Sequence, residues 1–364
     1  MTIIHAPASP AAEVNAALPT EAPEHERVLI TRGPRSGLTI IVAVHSTRLG
    51  QALGGARLWR YGHWTDALAD ALRLSEAMTM KNAAAGLARG GGKSVICIAP
   101  GATLDEQTTR DAMLDLGDAV ESLGGAYMTA EDVGTSAELM AVVAERTEHV
   151  CGLPPEQGGV GEPADATAAG VHASILATLE HVFGTSDVSN RHLVIAGLGQ
   201  VGGRLARSLA AAGAKLTVTD VAGTKRALAD ELGATWVEPH EAHLVEADVF
   251  VPCGLGGVLT DEVVDALRVR AVVGAANNQL AERDVAARLT ERRIVWAPDF
   301  VANAGGVIYL DVASAPGADQ AALDARIAGI GDTVASVLRS ASEHGTTTLA
   351  AAGRLPRTRL DDAR

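Results

Sequence analysis

Apolar and polar positions along this chain change period several times, and each change marks an element. Val28-Leu29-Ile30 and Thr39-Ile40-Ile41-Val42-Ala43-Val44 flank the turn sequence Gly33-Pro34-Arg35-Ser36-Gly37, which predicts two strands. From Thr65 to Met80 the residues Ala67, Leu68, Ala71, Leu72, Leu74 and Met78 recur at helical spacing. Val95-Ile96-Cys97-Ile98 predicts a buried strand. Further helices are predicted over Thr108 to Leu123 and Ala137 to Glu145, the latter with Thr135 or Ser136 as N-cap. Strand and helix alternate in this way to about Val150, as an α/β layer requires. The glycine- and proline-rich stretch from Cys151 to Pro163 then breaks the pattern and reads as a domain hinge.

Beyond it, a helix is predicted from Thr167 to Phe183 and a strand over His192-Leu193-Val194-Ile195-Ala196. That strand runs into Gly197-Leu198-Gly199-Gln200-Val201-Gly202, a helix from about Gly203 to Ala212, and the strand Lys215 to Thr219 ending in Asp220. Strand, glycines, helix, strand and terminal acid in this register point to a dinucleotide. Gly197, Gly199 and Gly202 permit a tight turn and bring pyrophosphate to a helix N-terminus, where unpaired N–H groups favour anions. Asp220 would accept from the adenosine ribose hydroxyls and repel a 2′-phosphate, which favours NAD over NADP. Strands at Asp248 to Val251, Ala271 to Val273 and Ile294 to Ala297 would complete a doubly wound sheet. The expected class is therefore α/β with two domains, an N-terminal α/β domain and a Rossmann dinucleotide-binding domain.

Bulk properties narrow the partners. A formal net charge of −14 argues against nucleic acid, because phosphate binding needs a basic face. With 47% apolar residues, 364 residues suffice for two separately folded cores. Cys97, Cys151 and Cys253 form no Cys-x-x-Cys pair, and His240-Glu241-Ala242-His243 lacks the helical zinc spacing, so neither a disulfide framework nor a metal is expected. No apolar run is long enough for a bilayer. Residues 1–23 lack a secretory pattern and read as a loosely ordered tail, so the cytoplasm is the expected compartment.

The candidate chemistry lies in Met78 to Lys93, where Lys81 and Lys93 bracket an alanine- and glycine-rich stretch whose one other charge is Arg89. Both ammonium groups are expected in a cleft with little carboxylate nearby. One cation could hold a substrate carboxylate; the other, desolvated and repelled, could lose its proton near neutral pH and act as a base. The bland alternative is a helix-ending Lys81 and a surface Lys93. Gly-Gly-Gly-Lys-Ser does not make a phosphate loop, because Leu87 stands where that motif needs glycine. Glu131-Asp132 closes a short strand, where α/β folds build sites or simply cap turns. Asn277-Asn278 and Asn303 follow strands of the second half, placed to reach a nicotinamide or only to build loops.

Six segments in order, LGGARLW (Leu53 to Trp59), MTMKNAAAGLARGGGK (Met78 to Lys93), TAEDVGT (Thr129 to Thr135), GLGQVGG (Gly197 to Gly203), GAANNQL (Gly274 to Leu280) and APDFVANAGGVI (Ala297 to Ile308), resemble the leucine/valine/phenylalanine dehydrogenases of the glutamate dehydrogenase superfamily. The resemblance runs from about Glu26 to Leu355. It implies NAD-dependent, reversible oxidative deamination of an L-amino acid to a 2-oxo acid and ammonia. Carried over by motif, Lys81 would bind the substrate carboxylate, Lys93 would activate water, and Asp132 would exchange protons with the amino group. Gly54 and Gly55 would approach the substrate carboxylate, and Met78 would line the pocket. Gln200, Val201, Thr167, Cys253, Asn277 and Asn303 would join the glycines and Asp220 around the cofactor. The implied domains are 1–150 for substrate and oligomerisation, 151–333 for NAD, and C-terminal helices over 334–364 that return to the first. Relatives are homo-oligomers.

Substrate size in this family depends on positions matching Leu53, Ala130, Val307 and Leu310. Ala130 and Val307 resemble the leucine enzymes, and Leu310 would shorten the pocket, so valine, leucine or isoleucine is expected over phenylalanine. Glutamate would need a further cation for its side chain. Asp165 and Ala169 depart from an apolar and an aromatic residue near the expected nicotinamide site. Gln51 replaces a proline, and Asp311 to Gly317 replaces an acidic segment. These departures leave open an unusual or aromatic amino or oxo acid, or a catalytically weak NAD-binding homologue.

Overall fold

Burial is continuous along the central strands, as over Gly90–Ile98 and Val249–Pro252, so each sheet has both faces covered. The computed structural model describes residues 24–157, 159–160, 162–313 and 319–363. The predicted tail at 1–23 and residues 314–317 of the Asp311 to Gly317 segment lie outside them. Backbone contacts divide the chain into two compact units, one of residues 24–79 and 89–159, the other of Met80–Ala88 and the chain from Val160 onward.

The first unit contains β1 (Arg27–Arg32), β2 (Thr39–Ser46), β3 (Ala52–Arg60), most of α1 (Trp64–Ala84), β4 (Gly90–Ile98), α2 (Glu106–Glu121), β5 (Tyr127–Glu131) and α3 (Ala137–Val143). Its sheet has the order β1-β2-β4-β3-β5; β1, β2 and β4 pair antiparallel, while β3 runs parallel to β4 and β5. In β2, Ile40, Val42 and Val44 face a core shared with Met113, Leu116 and Met140, whereas Ile41 and Ala43 face Ala67 and Ala71 of α1. Asp105 caps α2 by accepting from Thr108 N–H, and Ser136 caps α3, as one of the two predicted alternatives.

The second unit contains α4 (Ala164–Phe183), β6 (His192–Ala196), α5 (Gln200–Ala211), β7 (Lys215–Thr219), α6 (Arg226–Glu231), β8 (Thr235–Trp236), β9 (Val249–Pro252), α7 (Asp261–Ala266), β10 (Ala271–Val272), α8 (Val285–Glu291), β11 (Val295–Trp296), α9 (Asp299–Ala302), α10 (Gly305–Ala313), α11 (Gln320–His344), α12 (Thr348–Ala352) and α13 (Arg354–Asp362). The six strands are parallel in the order β11-β10-β9-β6-β7-β8, the doubly wound order of two mononucleotide-binding halves. Leu193 and Ile195 of β6 face a core with α4 and α11, and Val194 faces Phe250, Val272 and Trp296. The described C-terminal helices group with this unit: Ile327, Ile330, Val334 and Leu338 of α11 pack in the core that holds Val171, Ile175 and Leu179 of α4. Arg359 and Arg326 reach back to the carbonyls of Ala83 and Gly86. Among the described residues, no helix is long and apolar enough to cross a membrane.

Candidate active site

Two sets of expected site residues come together, one in each unit. In the first unit, β4 has all nine residues buried, including Gly90, Gly91 and Gly92, and it carries Lys93 in the interior at 5% exposure. The glycines are there because neighbouring backbones lie too close for side chains. A Cβ at Gly54 of β3 would collide with the Gly92 carbonyl oxygen and lie 3.3 Å from Met78 Cγ. A Cβ at Gly55 would come within 2.7 Å of Asp132 Cβ and 3.3 Å of Lys93 Nζ. The register places Gly55 opposite Ala130 and Leu53 opposite Gly91 and Met128, with Leu53 and Ala130 both buried. Tyr127 fixes this packing, donating its hydroxyl to Gly54 O at 2.7 Å.

Lys93 Nζ lies 2.7 Å from Asp132 Oδ2, which corrects the expectation of a lysine with little carboxylate nearby. Burial lowers the Lys93 pKa, and the Asp132 charge opposes that. Burial alone would raise Asp132, but Lys93 and Arg57 outweigh it and hold the carboxyl at about 2. The second cation beside Lys93 is thus Arg57, two positions beyond Gly55 on the same face of β3. Its Nε lies 3.0 Å from Asp132 Oδ2 and its Nη1 2.8 Å from Asp70 Oδ2. Sequence reasoning missed Arg57 and Asp70; the period-two spacing from Gly55 was the available signal. Gln51 accepts from Arg89 at 2.8 Å and contacts the His149 ring at 3.3 Å.

In the second unit, the glycine loop between β6 and α5 has the expected form. Gly197 adopts φ 109°, and a Cβ at Gly202 would collide with the Gly197 carbonyl and sit 3.0 Å from Cys253 Cβ. A Cβ at Gly199, the N-cap of α5, would meet nothing within 4 Å. That open approach to unpaired N–H groups, followed by Gln200 and Val201 in the first turn, fits a pyrophosphate. Asp220 accepts from Leu198 N–H at 2.6 Å and Ala222 N–H at 2.8 Å. Desolvation pushes the half-buried Cys253 thiol up to about 11, and the residue packs under the loop. Val221 and Leu255, at 92% and 82% exposure, stand bare after β7 and β9 and were not anticipated.

The amides form a second cluster in this unit. Asn303 Nδ2 donates to Asn277 Oδ1 at 2.8 Å and to Ala275 O at 3.1 Å, and Lys81 Nζ approaches Asn277 Oδ1 at 3.4 Å. Asp299, unremarked in the sequence, braces the turn by accepting from Asn278 N–H at 2.5 Å, and burial raises its pKa. Thr167 packs on Gly306, whose Cβ would come within 2.7 Å of Thr167 Oγ1. Val307 follows on α10 against the unit's core, and Leu310 of the same helix is buried. The two departures on α4 face elsewhere. Asp165 pairs with Arg204 Nε of α5 at 2.6 Å, and Ala169 lines a groove of about 570 Å³ with His172, Leu176, Leu323 and Ile327.

Known protein families match stretches of both units. Residues 25–149 match the model described as Glu/Leu/Phe/Val dehydrogenase, dimerisation domain, and residues 228–363 match Glutamate/Leucine/Phenylalanine/Valine dehydrogenase. Residues 167–272 also match the NAD binding domain of D-isomer specific 2-hydroxyacid dehydrogenases. Leucine dehydrogenase of Bacillus cereus is 40% identical over 339 residues, 93% of this chain and 91% of that protein. Valine dehydrogenase of Streptomyces virginiae is 40% identical over 344 residues, 93% and 95% of the two chains. Among solved structures, L-tryptophan dehydrogenase from Nostoc punctiforme superposes with a TM-score of 0.79 at 34% identity, covering 93% of this chain and 97% of that one. With two family models spanning most of its length and relatives at this identity over nearly all of it, the chain belongs to the Glu/Leu/Phe/Val dehydrogenase family.

Proposed function

We propose that this protein catalyses the NAD-dependent, reversible oxidative deamination of a branched aliphatic L-amino acid, valine, leucine or isoleucine, to its 2-oxo acid and ammonia. The observation that carries the reading is the buried Lys93–Asp132 pair beside side-chain-free backbone at Gly54 and Gly55, in a chain whose other sheet forms a dinucleotide crevice. Lys81 holds the substrate carboxylate, and Met78, Leu53, Ala130, Val307 and Leu310 shape the space for its side chain. Lys93, whose proton affinity burial lowers, takes a proton from the attacking water in its amine form. Asp132 relays protons to and from the substrate nitrogen.

The glycine loop and the α5 N-terminus would hold the pyrophosphate, with Cys253 packed beneath. Asp220 would take the adenosine ribose, Val221 and Leu255 would flank the adenine, and Thr167, Asn277 and Asn303 would face the nicotinamide. NAD supplies the hydride acceptor for the substrate Cα–H. The relatives named leucine and valine dehydrogenase support the aliphatic choice. The protein acts as a homo-oligomer in the cytoplasm, joined through the first unit, where Ile30, Trp59, Trp64 and Val133 are exposed.

The test is turnover of an L-amino-acid panel with NAD at alkaline pH, followed by NADH absorbance. Valine, leucine or isoleucine should lead, and NADP should substitute poorly. Phenylalanine or tryptophan matching valine would overturn the aliphatic pocket. Silence across the panel with NAD still bound would overturn catalysis. A monomer by light scattering would remove the oligomer.

A further inference from the structure

Arg57 takes no part in the steps above, yet two carboxylates hold it in the interior of the first unit. Its Nε donates to Asp132 Oδ2 at 3.0 Å and its Nη1 to Asp70 Oδ2 at 2.8 Å. Asp70, on α1, is itself fixed on both oxygens, accepting from the Tyr61 hydroxyl and from Arg73 Nη2 at 2.7 Å each. Asp132 is fixed from behind, where its N–H donates to Thr135 Oγ1 at 2.8 Å and Thr135 Oγ1 donates to Ala56 O at 2.9 Å. The result is a chain of alternating charge, Lys93–Asp132–Arg57–Asp70, running from β4 through β3 to α1. Exposed ion pairs contribute little. Here no side chain of the four exceeds 20% exposure, so each charge is felt by its neighbours.

We infer that Arg57 is a positioning residue: anchored by Asp70, its guanidinium holds the Asp132 carboxylate against Lys93 and provides the second positive charge that sets the acid–base balance of that pair. Its effect on turnover rests on the deamination reading, whereas the balance itself does not. A fixed cation keeps Asp132 ionised and disfavours the charged form of Lys93. Without it, Lys93 would lose a repelling neighbour, keep an attracting one and bind its proton more tightly. The groups facing the pair are Arg57 from β3, Asp70 and Arg73 from α1, Tyr61 from the loop between them, and Tyr127 from β5. Removing Arg57 therefore moves the rising limb of kcat, which follows the free amine, to higher pH.

The chain has four lysines, Lys81, Lys93, Lys215 and Lys225, so a ¹³Cε-lysine spectrum can be assigned by the resonance lost in Lys93→Arg. The Lys93 resonance would be titrated in the wild type, Arg57→Gln and Arg57→Lys, beside the pH dependence of kcat. In Arg57→Gln, the Lys93 midpoint and the rising limb should move upward together by about one pH unit, with kcat near neutrality down about ten-fold. Arg57→Lys should restore most of both. The double variant Arg57→Gln/Asp70→Asn leaves no unpaired charge in the interior, freeing only the exposed Arg73, and guards against misfolding; it should shift the same way by less, because Asp70's attraction goes too. A lower kcat or Tm with an unmoved Lys93 titration would overturn the inference. A wild type that deaminates nothing would sink the functional reading, and the titration would still decide the role of Arg57.

Discussion

A Cβ added at Gly54 would run into the Gly92 carbonyl, and one at Gly91 into the Thr79 backbone; one at Gly199 would meet no atom within 4 Å. In the first unit, glycine lets strands and a helix press together. In the second, it keeps a helix end bare. Charge divides the same way. The packed region holds Lys93, Asp132, Arg57 and Asp70 within hydrogen-bonding distance of one another in sequence along the chain of contacts. The bare region offers backbone N–H groups and the Asn277–Asn303 amides. Moving a proton needs charged side chains fixed at short range, which a crowded backbone provides. Holding a pyrophosphate needs donors that nothing covers.

The strongest way to break this contrast is Lys93→Ala, which should cost about 10²–10⁴ in kcat while the Kd for NAD stays within about two-fold. Loss of NAD binding in that variant would show that the two regions do not divide the work. Alanine at the two kinds of glycine sharpens it further. Gly54→Ala should destabilise by about 3 kcal/mol or more, roughly 5–10 °C in Tm. Gly199 has φ −66°, which alanine tolerates, so Gly199→Ala should leave Tm within about 1 °C and weaken NAD about ten-fold. Equal Tm losses in both would erase the distinction.

Acid titration gives a smaller effect of known sign. The folded-state pKa of Asp132 is about 2, below its unfolded value, so its ionised form stabilises above about pH 4 and that contribution is lost as pH falls through about 2. The Tm difference between wild type and Asp132→Asn should therefore shrink across that window; a constant difference would show that the charge is not what matters. Least of all, Asp165→Ala removes an ion pair whose carboxylate is 83% exposed, and should change stability by no more than about 0.5 kcal/mol and turnover not measurably. A large fall in kcat would return Asp165 to the nicotinamide site.

The Rossmann half was the most legible. β6 and β7 match their predicted bounds to the residue, because each is a run of buried apolar or β-branched residues that glycines or Asp220 end. β10 and β11 fall within their predicted stretches, Ala271 to Val273 and Ile294 to Ala297, whereas the two-residue β8 is too short to show a period and is ordered by pairing with β7. β3 was not anticipated as a strand. Gly54 and Gly55 lower its own propensity, and its order comes from lying between β4 and β5. Of the charged centre, Lys93 and Asp132 were found by motif. Arg57 was not, since its meaning depends on Asp70, which reaches it from a different element.

Asp220 bears on attempts to re-engineer coenzyme preference. Its two oxygens already grip the amides of Leu198 and Ala222, so it is a buckle on the glycine loop before any ribose arrives. Swapping it for a small neutral residue to admit NADP would undo that buckle along with the repulsion. A successful redesign would have to supply those two amides with a new acceptor first.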